Sequence, residues 1–286
     1  MGQPLASLLP LRGVLSLGGA DRVTFLQGLV SNDVNAVLPG SAIYAALLTP
    51  QGKFLHDMFI IEAGDHFLLD CEAARADDLL KRLTAHKLRA KITLDKVISG
   101  YDVWAAWDGD APKGWLPDPR LAALGSRILL KKGTKPDHVR AARFEDYDRH
   151  RISLGVPDGS RDLIVGKSTL AEGNLDLLNG ISFTKGCYLG QELTARLHHR
   201  GLVKKRIFPV KITGVPPEFG SIVRDGADDI GDMRSACGER LREAQSEPIS
   251  SCDVGLALLD ISKAATKKTF TCDSSQLLVL DSFQKT

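Results

Sequence analysis

Twelve consecutive residues, Lys185-Gly186-Cys187-Tyr188-Leu189-Gly190-Gln191-Glu192-Leu193-Thr194-Ala195-Arg196, bring together a thiol, a carboxylate, a carboxamide and two permanent cations. Such a set can do thiol chemistry, because the thiolate is the form of cysteine that attacks, ligates metal or exchanges sulfur, and nearby positive charge favours it. Thr184 suits the cap of a helix starting just after it. That places Cys187 near a helix N-terminus, where unpaired amides and the dipole stabilise a thiolate, with Lys185 adding a second charge. On this helix Cys187 and Gln191 lie one turn apart, as do Glu192 and Arg196, and Arg196 and Arg200. Plainer readings exist for the same residues: an exposed Glu192–Arg196 ion pair of little energetic weight, and Cys187 as a small buried apolar side chain.

Three other places carry groups able to act. Glu172 ends the tetrad Thr169-Leu170-Ala171-Glu172, a capping-box pattern that explains a glutamate by itself. His56-Asp57 puts an imidazole beside a carboxylate within an alternating stretch, where either could simply face outward. Residues 196–206 hold five permanent cations, Arg196, Arg200, Lys204, Lys205 and Arg206, fit to pair with a carboxylate-bearing ligand. They lack the interleaved aromatic side chains that stack on bases, so nucleic acid is not the expected partner, and a solvated linker is the plain alternative.

The elements that must position these groups follow from periodicity. Residues 13–17 read as a strand and 18–21 as a turn, after which Val23, Leu26, Leu29 and Val30 recur at helical spacing. Gly18-Gly19 has neither continuation of a phosphate-binding loop, so a tight turn is the reading. Residues 43–48 and 54–62 form two strands joined by Thr49-Pro50-Gln51-Gly52, with a third strand at 67–71 and an amphipathic helix over about 73–86. A further strand at 101–107, an exposed Gly/Pro/Asp-rich loop at 108–119, a strand at 126–130 and a helix over 136–152 repeat the theme, giving an α+β class. After Arg206 short segments (208–212, 221–223, 255–261, 268–272, 277–280) recur at intervals typical of a small β-barrel. The expected boundary lies near residue 205, dividing 1–205 from 206–286.

Composition bounds the function. A chain of 286 residues, 43% hydrophobic and 25% charged, can bury a large core in two or three packed units, and a net charge of +2 supplies no global field for nucleic acid. No apolar run is long enough to span a bilayer, and Pro4, Pro10 and Arg12 interrupt the stretch where a secretory leader needs an apolar core. A cytosolic, membrane-free location is therefore the expectation. Five cysteines, Cys71, Cys187, Cys237, Cys252 and Cys272, form an odd set without a Cys-x-x-Cys pair, which argues for free thiols, the last three structural.

Residues 185–192 match the Lys-Gly-Cys-Tyr-x-Gly-Gln-Glu signature, and on it the chain resembles the folate-binding YgfZ-type proteins. These are relatives of the glycine cleavage T-protein that act in iron-sulfur cluster maintenance. Phe25-Leu26-Gln27-Gly28-Leu29-Val30-Ser31-Asn32-Asp33, Leu48-Thr49-Pro50-Gln51-Gly52-Lys53, Asp118-Pro119-Arg120-Leu121 and Glu172-Gly173-Asn174-Leu175-Asp176 extend the resemblance over about residues 12–211. It implies two interleaved α/β lobes and a C-terminal β-barrel around a central channel for tetrahydrofolate. By the same resemblance Glu172 receives the pterin ring, Arg196 and Arg200 face the folate glutamate tail, and Cys187 is a functional thiol. The motif residues Lys185, Gly186, Tyr188, Gly190, Gln191 and Glu192 form one wall. Asp57 is the weaker transfer: T-proteins carry adjacent acids there, and His56-Asp57 keeps one at most, which tells against aminomethyl transfer. Iron-sulfur carrier or client proteins are the implied partners, and a transiently shared cluster the implied cargo. A tetrahydrofolate-dependent aminomethyl or one-carbon transferase and a non-enzymatic scaffold remain as alternatives.

Overall fold

The computed structural model describes residues 2–237 and 253–281; Cys252 lies outside the described residues. Strand Ala42–Leu48 is apolar throughout and Phe54–Glu62 is apolar but for His56, Asp57 and Glu62, and both are buried on both faces, as strands covered by layers on either side must be. They lead an antiparallel sheet in the order Ala42–Leu48, Phe54–Glu62, His66–Glu72, Arg12–Gly18, Thr93–Lys96. Two helices, α1 (Arg22–Gln27) and α2 (Ala76–Lys87), cover one face. In α2 the buried Ala76, Leu79 and Leu83 recur at helical spacing, while Asp77 and Asp78 in the first turn and His86 and Lys87 in the last complement the dipole. Leu29 and Val30, expected in α1, fall outside it. Val30 instead makes a bridge to Leu47.

Alternation sorts this sheet's side chains between two cores. Ala45, Leu47, Met58 and Ile60 pack with Leu79 and Leu83, whereas Tyr44, Ala46, Leu48, Phe54 and Phe59 point the other way. The second sheet runs Arg140–Ala141, Leu5–Leu8, Tyr101–Trp107, Ser126–Lys131, Leu116–Pro117. Its strand Leu5–Leu8 precedes a strand of the first sheet in the chain, so the lobes interleave, and Val14, Ile61, Leu68, Val103, Trp107 and Tyr147 form one core between them. The helix expected over 136–152 starts later, as α3 (Phe144–Ser153). Residues Arg140–Ala141 are drawn off to pair with Leu5 and Ala6, and the Arg143 N–H donates to Asp146 Oδ2 at 3.0 Å, closing the helix end.

The third unit is a closed six-stranded barrel, Lys205–Thr213, Asp253–Asp260, Asp228–Cys237, Ile222–Asp225, Thr269–Cys272, Ser275–Val279, whose last strand pairs back onto the first. Strand Asp228–Cys237 escapes a sequence reading because its apolar residues are few and a bulge between Met233 and Ala236 breaks the alternation. Ile207, Leu256 and Leu258 on the barrel's outer face join Tyr44, Phe54, Leu170 and Tyr188 in one core, each such side chain contributing roughly 2 kcal/mol. This seam holds barrel and lobes together, and the signature segment lies against it.

Candidate functional site

Residues 182–190 form no helix. The helix expected after Thr184 begins at Gln191 instead, as the segment Gln191–Arg200. Chain-local contacts explain the delay: the Lys185 N–H donates to Ser182 Oγ at 3.2 Å, the Tyr188 N–H donates to Gln191 Oε1 at 3.0 Å, and Gly190, just before the helix, has φ +79°. Cys187 is therefore outside the helix and exposed, and the activation by a helix end read from the sequence does not apply.

What holds this segment is its neighbours. The Leu189 N–H donates to the Gly28 carbonyl at 3.1 Å and the Ser182 N–H to that of Ser31 at 3.0 Å. Lys185 Nζ donates to the carbonyls of Val30 (2.9 Å) and Asn32 (2.7 Å) and lies over the Tyr188 ring at 5.1 Å. Burial pushes this amine down to about 8, against the opposing pull of Asp33. Gly190 and Gly52 touch backbone to backbone. A Cβ on Gly190 would stand 2.3 Å from the Thr49 carbonyl, and one on Gly52 would stand 2.7 Å from the Gly190 carbonyl. Thus three stretches that carry the resemblance, 25–33, 48–53 and 185–192, are one physical assembly. Gly186 has open space around it, and Tyr188 is buried in the seam.

The remaining expected residues separate. Numbering Gln191–Arg200 as α4, its residues Glu192, Arg196 and Arg200 are exposed, and no ion pair joins them among the described residues. Phe183 stacks on His198 of α4 with ring centroids 3.7 Å apart. Arg206 is a clamp, its guanidinium donating to both Asp176 carboxylate oxygens (2.8 and 2.6 Å). Glu172 does what its tetrad predicts: Oε2 accepts the Thr169 N–H at 2.7 Å, and the Glu172 N–H donates to Thr169 Oγ1 at 3.2 Å. Its Oε1 has no protein partner among the described residues. Asp57 is 2% exposed and accepts the Tyr44 hydroxyl at 2.9 Å; burial raises its pKa, with Arg12 opposing. His56 points to the other face, its Nε2 2.8 Å from Asp78, and burial with Arg75 nearby pushes it down to about 4. The two neighbours do not act as a pair.

The largest set of polar side chains was not legible as a site. Between the sheets, Arg12 Nε donates to Asp70 Oδ1 at 2.7 Å and Arg127 pairs with Asp70 and Asp118. Arg120 grips Asp118 with two bonds of 3.0 and 2.8 Å. The guanidiniums of Arg12, Arg120 and Arg127 lie 5.4, 4.9 and 3.8 Å from the Phe59 ring centroid, within cation–π range. Arg151 holds Asp148 and Asp162, while Arg161 holds Asp148 and Asp158. Burial alone would raise the Asp158 carboxyl, but Arg151, Arg12 and Arg161 together hold it well below the usual range. At the middle only about 10 Å³ is free, whereas beside it a cavity of about 330 Å³ opens against Arg12, Glu72, Asp158 and Arg161. Glu172, Arg196 and Arg200 line neither space. The sequence signal was present: single aspartates inside apolar strands, such as Asp70 in Phe67-Leu68-Leu69-Asp70-Cys71.

These features fit known proteins in two steps. The fold is that of the glycine cleavage T-protein: the chain superposes on the crystal structure of the glycine cleavage system aminomethyltransferase T from Bartonella henselae with a TM-score of 0.74, covering 98% of this chain and 86% of that one at 14% identity. Residues 204–281 match the family described as the CAF17 C-terminal beta-barrel domain. The iron-sulfur cluster assembly factor IBA57 homolog, mitochondrial, of Mycosarcoma maydis is 36% identical over 285 residues, spanning 91% of this chain and 70% of that protein. The mitochondrial factors IBA57 of Homo sapiens and Mus musculus are 33% and 35% identical, with 87% of this chain and 75% of each relative covered. The chain belongs to this IBA57 family of iron-sulfur cluster assembly factors.

The names also correct the expected location. Relatives at this similarity are mitochondrial, so the cytosolic expectation is overturned. It rested on the lack of a secretory leader, a feature that does not bear on import into an organelle. No helix among the described residues is long and apolar enough to cross a membrane.

Proposed function

We propose that this chain is an accessory factor in the assembly or repair of iron-sulfur clusters, offering the Cys187 thiol to a cluster or sulfur species it shares with a carrier protein. The observation that carries the reading is the contrast at Cys187: an exposed thiol on a segment whose flanks are fixed by hydrogen bonds from Lys185 and Leu189 to the loop at 28–32 and by the close packing of Gly190 on Gly52. A thiol so held is presented in one place without being occluded. The names of the relatives support the process, since those proteins are assembly factors. A cluster takes about four protein ligands, so one cysteine requires the remainder from the carrier or a small thiol. Mixing the protein with a cluster-loaded carrier and following visible absorbance tests this: Cys187→Ser should abolish retention on the complex, and retention equal to wild type would remove the thiol from the reading.

Tetrahydrofolate belongs to the same proposal as a ligand of Glu172, whose Oε1 has no protein partner among the described residues while Oε2 is engaged by Thr169. Calorimetry with tetrahydrofolate on wild type and Glu172→Ala tests it; equal binding by both proteins would exclude Glu172. Aminomethyl transfer is the less favoured reading, because Asp57 is enclosed by Tyr44 and Gly159 rather than open to a substrate.

A further inference from the structure

The cavity of about 330 Å³ beside the buried charges is at the small end of ligand sites, which run from about 300 to 1,000 Å³. Its wall contains a charged donor and a charged acceptor left slightly too far apart. The Arg12 side chain is 6% exposed; Nε and Nη2 are used on Asp70, but Nη1 makes no hydrogen bond among the described residues, and Asp158 Oδ1 stands 3.6 Å from it. Asp158 Oδ1 accepts no hydrogen bond among the described residues either, its partner oxygen Oδ2 being taken by Arg161. At 3.6 Å the two attract as an ion pair but make no hydrogen bond to each other, so each keeps hydrogen-bonding capacity for a group in the cavity beside them.

The other two charged residues extend the pattern. Arg161 commits both terminal nitrogens to Asp148 and Asp158 and keeps Nε. Glu72 accepts the Ser160 hydroxyl at 2.7 and 2.8 Å and its N–H at 3.4 Å, with Arg75 3.9 Å away, and its two oxygens still retain acceptor capacity. Two guanidiniums and two carboxylates make the wall formally neutral. A simple anion would satisfy Arg12 and crowd Asp158 and Glu72, and a simple cation would do the reverse. A group bearing both signs on neighbouring atoms satisfies all four. Leu11 and Ala74 supply an apolar side for the rest of such a molecule.

We propose that this cavity binds the zwitterionic head of an α-amino acid, its carboxylate on Arg12 and Arg161 and its ammonium on Asp158 and Glu72. A free amino acid and the end of a γ-glutamyl peptide present this same head. Calorimetry on the full chain with L-glutamate, γ-glutamylglycine, glutarate and pentylamine tests it. Saturable binding of either amino-acid probe, with glutarate and pentylamine weaker by about tenfold or more, is the expected result, and the tighter of the first two identifies the source. Glu72→Gln should weaken the amino-acid probe by a similar factor. Ala74 is exposed, so Ala74→Trp should fill the cavity and abolish binding while the protein stays folded; should it not fold, Ala74→Leu serves. Glutarate binding as well as glutamate, no binding of any probe, or unchanged binding to the filled variant overturns the assignment.

Discussion

The charged side chains between the two sheets and those along residues 185–200 are of the same types in opposite surroundings. Arg12, Arg120, Arg127 and Arg151 are buried, each matched to one or two aspartates, and removing one partner strands the other in a low-dielectric interior. Glu192, Arg196 and Arg200 face water and pair with nothing among the described residues, so their loss leaves no orphan. The signature segment draws its rigidity from backbone contacts and from the Lys185 ammonium bound to two carbonyls, not from Glu192, Arg196 or Arg200. Stability is thus concentrated where the sequence looked ordinary, and the proposed thiol chemistry at an exposed residue that contributes little to it.

The comparison breaks first at Arg151, which is 1% exposed and bridges Asp148 and Asp162. Arg151→Ala should cost about 3–5 kcal/mol in denaturant unfolding, and a loss below about 1 kcal/mol would show that the buried charges are individually dispensable. The next effect is on pH dependence. With His56 held near 4 in the folded chain against an ordinary 6.5, the unfolded chain binds the extra proton between those values, so stability rises with pH across that window by up to about 3 kcal/mol. His56→Gln should flatten this rise when unfolding midpoints are compared from pH 4 to 7. Gly190→Ala forces a side chain into a left-handed conformation and against the Thr49 carbonyl, so a loss of about 2 kcal/mol is expected by thermal unfolding, locating the motif's structural share in its glycine. At the small end, Cys187→Ser and Arg196→Gln should each change stability by less than about 0.5 kcal/mol, since both positions are exposed. A larger loss at either would blur the division between the two regions.

Much of the fold was legible because burial writes itself as period. Strands 42–48 and 54–62, α2 and the closely spaced barrel segments all follow from apolar spacing. The loop at 108–119 was read as exposed from its Gly, Pro and Asp content, yet Asp118 is 4% exposed because Arg120 and Arg127 neutralise it there. A pairwise compensation across distant segments leaves no periodic trace in one sequence. The start of α4 was missed for a related reason: Thr184 is a good cap by type, but Ser182, Gly190 and Gln191 settle the local hydrogen bonds otherwise. Cys187 was identified as a residue to watch by its neighbours in sequence, and its exposure was visible only in three dimensions.

The shared core at the seam has a consequence in time. Its lobe half, Tyr44, Phe54 and Leu170, is present in the chain well before its barrel half, Ile207, Leu256 and Leu258. At about 5–20 residues per second the roughly fifty residues from Ile207 to Leu258 take on the order of 3–10 s to emerge from a ribosome. For that interval a finished sheet carries an uncovered oily face, and the chain is at its stickiest just before its barrel can close.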